Sequence, residues 1–198
     1  MNVSIDDIKK LKELTGIGLT DAKAALIEEK GDFDKALAAL RKKGLTKAEK
    51  KGDREAREGV IDSYVHNGRI GVLIEVNCET DFVARTDGFK AFAHEIALQV
   101  ASMAPQYVSE ADIPEVELKR VRDETKERAI AEGKPVDMID KIVDGQVKKH
   151  FAEKVLLNQI YIKNDKQTVS DFVKENIAIL GENIIIRQFR RIELGLSE

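Results

Sequence analysis

The sequence predicts an α+β fold: a small antiparallel sheet with helices packed on it, preceded by an N-terminal three-helix module and a charged linker. Three observations predict it. His66-Asn67-Gly68 separates two runs, Val60–Val65 and Arg69–Val76, that alternate apolar and polar residues, and Asn-Gly between alternating runs is a strong hairpin signal. Apolar residues recur at helical spacing behind capping signals, among them Ser4 with Asp7 and Thr168 with Asp171. Asn183–Leu194, which opens on three consecutive isoleucines and ends at Gly195, reads as a C-terminal strand.

Each element follows in order. Ser4 caps a first helix with Ile5, Ile8 and Leu11 on one face, and Thr15-Gly16-Ile17-Gly18 breaks it. A second helix runs over Asp21–Lys30, carries Ala25 and Leu26 as apolar positions, and ends at Gly31. Asp32 caps a third through Phe33, Ala36, Leu37 and Leu40, which closes a module over residues 1–45. The stretch Arg41–Glu58 is nearly all charge and reads either as a solvated linker or frayed helix, or as a basic cluster that touches RNA or an acidic partner; the linker proper is placed at 46–58. The α+β core fills 59–198. In its second strand Ile70, Val72, Ile74 and Val76 share one face, while Gly71, Leu73, Glu75 and Asn77 share the other, so one face is buried and one half-wet.

Asp87 caps a helix with Phe89, Phe92, Ala93, Ile96 and Val100 at helical spacing, and Pro105–Val108 reads as a short edge strand. Pro114 starts a mostly water-facing helix, Glu115–Glu132, with a thin stripe at Leu118, Val121 and Ala129 that stops at Gly133. Pro135 opens another, with Met138, Ile142, Phe151 and Val155 as its core.

Composition narrows the function. The 198 residues are 42% hydrophobic and 35% charged, a globular balance well outside the disordered class. A net charge of −3 argues against a dedicated nucleic-acid binder, and the would-be reading helix of the N-terminal module carries Asp21, Glu28 and Glu29, which phosphates repel; DNA is not an expected partner. The single cysteine suits a reducing compartment. Met1 leads into a polar capped helix with no apolar leader, and no apolar run is long enough to span a bilayer, so the expectation is a cytoplasmic chain without a membrane partner.

Chemistry-bearing patterns are scarce. Gly16-Ile17-Gly18 lacks the third glycine, preceding strand and lysine of a phosphate cradle. His66, His94 and His150 have no cysteine or second histidine at ligand spacing, so no metal and no cofactor are expected. Cys78 reads as a buried small hydrophobe more readily than as a nucleophile, and no carboxylate pair stands out as an acid/base couple. No catalytic residue is assigned.

The stretch Asn77-Cys78-Glu79-Thr80-Asp81-Phe82-Val83-Ala84 places a large ring beside a carboxylate just past a strand. On the residues alone two readings stay open. Thr80 or Asp81 caps a helical turn whose Phe82 and Val83 tuck into the core, or Phe82 points outward as an interface anchor.

Leu11–Leu26, LKELTGIGLTDAKAAL, resembles the N-terminal signature of bacterial elongation factor Ts, a UBA-like three-helix module. Glu79–Ala84, ETDFVA, resembles that family's partner-contacting motif, and Asn183–Gly195, NIIIRQFRRIELG, its C-terminal strand. Gly133–Pro135 and Asp140–Phe151 extend the match, which covers essentially the whole chain in family order. Thr20 stands where larger apolar residues are common, and the chain is similar to short members that lack the duplicated core half and the coiled-coil insertion of longer ones. The resemblance implies a guanine-nucleotide exchange factor that binds elongation factor Tu and makes or breaks no bond. It implies partner contacts at Thr80, Asp81, Phe82 and Val83, a second grip at Leu19 and Thr20, and a homodimer in which one protomer's sheet stands in for the missing half. A ribosome- or RNA-associated adaptor using Arg41–Lys51 and a peptide binder acting through the N-terminal module alone are the competing readings.

Overall fold

The computed structural model describes residues 3–196, apart from the side chains of residues 45–47; the outer ends of the expected 1–45 module and 59–198 core lie outside these. Eight helices and five strands are found among the described residues. By its contacts the chain divides into two compact units, Met1–Leu98 with Ser170–Glu198, and Gln99–Val169.

The first unit begins with three helices, α1 (Ile5–Thr15), α2 (Leu19–Glu28) and α3 (Phe33–Glu49). Ser4 caps α1 by accepting the Asp6 N–H, and Asp32 caps α3 by accepting the Lys35 N–H. Leu11, Ile17, Ala22, Ala25, Leu26, Ala36 and Leu40 form their shared core. Ile5, expected on the buried face of α1, is exposed; the stripe is instead Ile8, Leu11 and Thr15, whose hydroxyl donates to the Leu11 carbonyl. α2 starts two residues earlier than Asp21, on Gly18, and this puts Leu19 and Thr20 in its first turn.

α3 continues well past Leu40, so the expected linker starts inside a helix. The reason is a partner that composition does not reveal. Helix α8 (Val169–Leu180) lies against α3: Gly44 comes so close that a Cβ there would sit 3.2 Å from that of Ala178, Ala48 is buried, and Arg41–Glu175 (3.1 Å) and Glu49–Lys174 (3.2 Å) pair at the rim.

The sheet is β1 (Glu58–His66), β2 (Ile70–Cys78) and β5 (Ile184–Glu193), antiparallel in the order β1-β2-β5 with β2 central. Asn67 and Gly68 both take positive φ (49° and 67°), as a two-residue turn between right-twisted strands requires, and the Arg69 N–H closes it on the His66 carbonyl. Val72, Ile74 and Val76 are buried. Helix α5 (Asp87–Met103) covers that face with Phe89, Phe92, Ala93 and Ile96; Phe92 meets Phe172 of α8, and His94 Nδ1 bonds Asp62 of β1 at 2.9 Å. Thr86 rather than Asp87 caps α5, its hydroxyl accepting the Phe89 N–H.

The second unit is dominated by a helical hairpin, α6 (Glu115–Ala131) and α7 (Val136–Ala152). Val121, Thr125 and Ala129 face Ile139, Val143, Val147 and Phe151. Met138, expected in this core, is exposed, because the buried stripe of α7 runs in steps of four from Ile139. In place of a strand at Pro105–Val108 there is a single parallel bridge from Tyr107 to Val155. A two-stranded ribbon, β3 (Ile160–Tyr161) and β4 (Asn164–Thr168), completes this unit.

Gly16 ends α1 at φ 65°, and a Cβ there would sit 2.4 Å from the Ile179 Cα of α8, which is backbone and cannot swing aside. Gly31 has φ 86° with open space around it. The expected outcome is that Gly31→Ala costs only the left-handed backbone penalty, about 1–2 kcal/mol. Gly16→Ala should cost about 3 kcal/mol or more, because the module must also lift off α8. Chemical denaturation of the two variants checks this; equal losses would mean that the Gly16 contact carries no weight.

Candidate functional site: the turn after the central strand

β2 delivers the chain to a turn that is held from both sides. Cys78, its last residue, is fully buried and donates its thiol to the Thr80 carbonyl at 3.2 Å. Burial, aided by the nearby Glu182 carboxylate, pushes the thiol up to about 11, so Cys78 stays protonated near neutrality and behaves as a small hydrophobe; nothing here activates it as a nucleophile.

Thr80 then caps the single-turn helix α4 (Asp81–Ala84), its hydroxyl oxygen accepting the Val83 N–H at 3.4 Å. The Glu182 carboxylate, at the end of the α8–β5 connection, accepts the Glu79 N–H (3.1 Å), the Thr80 N–H (2.9 Å) and the Thr80 hydroxyl (2.6 Å). The arrangement is reciprocal. The Glu79 carboxylate accepts the Asn183 N–H at 2.7 Å, with the Arg54 guanidinium 3.5 Å away. The Asn183 amide in turn donates to the Gly52 and Arg54 carbonyls, which ties the stretch following α3 to the same point.

The side chains of this turn differ sharply in burial. Ala84 takes the buried position, Val83 is half-buried, and Phe82 is 78% exposed. The tucked-in reading of Phe82 is therefore excluded. Asp81 is half-buried and pairs with Arg85 at 2.8 Å, one turn on along α4; such an exposed pair adds about 0.5 kcal/mol and leaves the carboxylate available. Leu19, 51% exposed, and Thr20 are displayed on α2, a separate element of the same unit. Sequence reading missed Glu182, Asn183 and Arg54. They lie about a hundred residues from the turn, or in the charged stretch, and nothing local marks them.

The sheet has a second exposed feature. Register places Ile61, Ser63 and Val65 of β1 beside Glu75, Leu73 and Gly71 of β2, and Gln188, Arg190 and Ile192 of β5 beyond them. Ile61, Val65, Leu73 and Ile192 are each more than half exposed. The Arg41–Lys51 cluster is partly committed within the chain, through Arg41 to Glu175 and Lys51 to the Gly181 carbonyl. No group of three or more metal-ligating side chains occurs among the described residues, and none of their helices is long and apolar enough to cross a membrane.

Fold and site together present an exposed phenylalanine on a turn braced by hydrogen bonds. The family model described as elongation factor TS matches residues 45–196. Elongation factor Ts of Coprothermobacter proteolyticus is 50% identical over 196 residues, 98% of this chain and 100% of that one. Those of Thermoanaerobacter sp. (strain X514) and Caldanaerobacter subterraneus subsp. tengcongensis are 50% and 48% identical over 194 residues, 98% of this chain and 95% and 97% of theirs. The chain belongs to the elongation factor Ts family, and its role is that of a translation elongation factor.

Proposed function

We propose that this protein is a guanine-nucleotide exchange factor for elongation factor Tu, acting in the cytoplasm by binding alone. The observation that carries the reading is Phe82: an apolar ring left in water on a turn whose backbone is fixed by hydrogen bonds. Asp81 and Phe82 enter the partner's GTPase domain, with Thr80 and Val83 at the rim. The ring fills an apolar slot, disturbs the magnesium and phosphate-loop region, and GDP leaves; the nucleotide-free partner stays bound until GTP enters. Helices α1–α3, the UBA-like module expected at 1–45 but carried on to Glu49 by α3, grip a second face through Leu19 and Thr20; the chain from there to 58 joins them to 59–198, the partner-binding and dimerisation core.

Magnitudes require more than one grip. A nanomolar GDP complex that forms at about 10⁶–10⁷ M⁻¹s⁻¹ releases nucleotide at roughly 10⁻³–10⁻² s⁻¹. Reaching about 10 s⁻¹ needs about 4–5.5 kcal/mol, whereas burying one phenylalanine yields about 1.5–3 kcal/mol. The remainder comes from contacts that also favour the nucleotide-free partner. The coupling is reciprocal, so GDP or GTP drives the factor off.

The outer face of the sheet supports the homodimer. It is apolar at Ile61, Val65, Leu73 and Ile192, has no side chain at Gly71, and carries both Glu75 and Arg190, a composition that suits a self-complementary contact with a second copy.

Two outcomes follow. Phe82→Ala should slow release of a fluorescent GDP analogue from elongation factor Tu by roughly 10- to 100-fold. Its melting should stay within about 0.5 kcal/mol of wild type, as for any exposed side chain. A large loss of stability, or unchanged release, contradicts the wedge. Leu73→Asp should shift sedimentation from dimer to monomer, and an unchanged dimer would rule out this face as the interface.

A further inference from the structure

Phe82 has little packing of its own, so the direction of its ring is set by the backbone of α4. A single helical turn cannot hold itself in water, because nucleation costs more than one turn of hydrogen bonds returns. Something outside α4 must therefore fix its start, and the Glu182 carboxylate is placed to do so. One oxygen accepts the two consecutive N–H groups of Glu79 and Thr80, which orients the chain entering the turn. The other accepts the Thr80 hydroxyl proton, which leaves a lone pair of that oxygen for the Val83 N–H. The cap of α4 thus depends on a proton that Glu182 holds in place. Gly181, at φ 82°, lets the chain turn out of α8 and bring Glu182 to this point.

We propose that Glu182 is a positioning residue for nucleotide exchange: by accepting the Glu79 and Thr80 amides and the Thr80 hydroxyl, it holds the Thr80–Ala84 turn in the one conformation in which Phe82 can enter the partner. This rests on the reading of Phe82 as the wedge. Removing the carboxylate lets the turn sample other conformations and lowers the fraction of molecules competent to bind. That raises the concentration of factor needed without changing what happens once the ring is seated.

The test is stopped-flow release of a fluorescent GDP analogue from elongation factor Tu, across concentrations of the full chain. Glu182→Ala should raise the half-saturating concentration about tenfold or more, the scale of a lost charge-assisted hydrogen bond, and leave the plateau rate within about twofold. Glu182→Gln, which keeps one acceptor oxygen for the two amides but turns a donor toward the Thr80 hydroxyl and loses the charge, should recover part of the loss. In a Phe82→Ala background, Glu182→Ala should have a much smaller effect, because only the Asp81 and rim contacts remain to be positioned. Equal effects in both backgrounds, or a lowered plateau at unchanged half-saturation, would overturn the proposal.

Amide hydrogen exchange on the free chain decides the same point without a partner. Glu182→Ala should speed exchange at Glu79, Thr80 and Val83 about tenfold or more and leave Ile74 and Val76 unchanged. Unaltered protection at the three turn amides would sink the positioning role. If Glu182→Ala loses the β2 protection as well, Glu182→Asp, which withdraws the carboxylate by one methylene, replaces it in both measurements. A wild-type chain that fails to accelerate release would remove the exchange reading, and amide exchange would still judge Glu182.

Discussion

Two carboxylates, Glu79 and Glu182, each accept backbone N–H groups from the segment that carries the other, and this exchange ties down the turn that displays Phe82. It joins the end of β2 to the start of β5 at the point where the sheet stops and ladder hydrogen bonds run out. Backbone donors at a strand end must find acceptors or water. Here the acceptors are charged, which makes the bonds stronger than neutral ones and directional. The like charges do not collide, because each carboxylate faces the other's backbone, and Arg54 lies beside Glu79.

On the proposed exchange reading, a braced turn is what lets a surface phenylalanine do mechanical work on another protein. An exposed ring on a mobile loop would lose conformational entropy on insertion, and that cost would be subtracted from a gain already too small to release nucleotide alone. A fixed ring has met most of that cost during folding. The same logic extends to the N-terminal module. Gly16 seats the end of α1 on the backbone of α8, and Gly44 and Ala48 let α3 lie close to it, so Leu19 and Thr20 are displayed from a body packed on the element that leads to Glu182. On the same reading, two grips held by one framework add their binding energies without a separate ordering cost for each.

Much of this was legible in the sequence. The hairpin was announced by Asn67-Gly68, the buried face of β2 by its alternation, and the helix starts by Ser4, Asp32, Pro114 and Pro135. The α+β class follows from those alone. What was not legible depended on partners distant in the chain. The charged run after Leu40 looked like linker, because its small residues Gly44 and Ala48 carry no helical stripe of their own; they are buried only once α8 lies against them. Met138 and Ile5 fitted the periodicity of their helices, and the neighbouring helix decided which side of the stripe was covered. At the site, residue type and position pointed to Phe82, yet the turn that displays it is tied to Glu182, about a hundred residues away, which nothing local in the sequence marks.

The most direct measurement replaces Phe82 with a photoreactive benzoylphenylalanine and irradiates the protein with elongation factor Tu at increasing GDP. The account predicts a crosslink from position 82 into the nucleotide-binding domain of the partner, strongest without nucleotide and fading as GDP is added. A crosslink only to residues of its own chain, or one to the partner that GDP leaves unchanged, would contradict it.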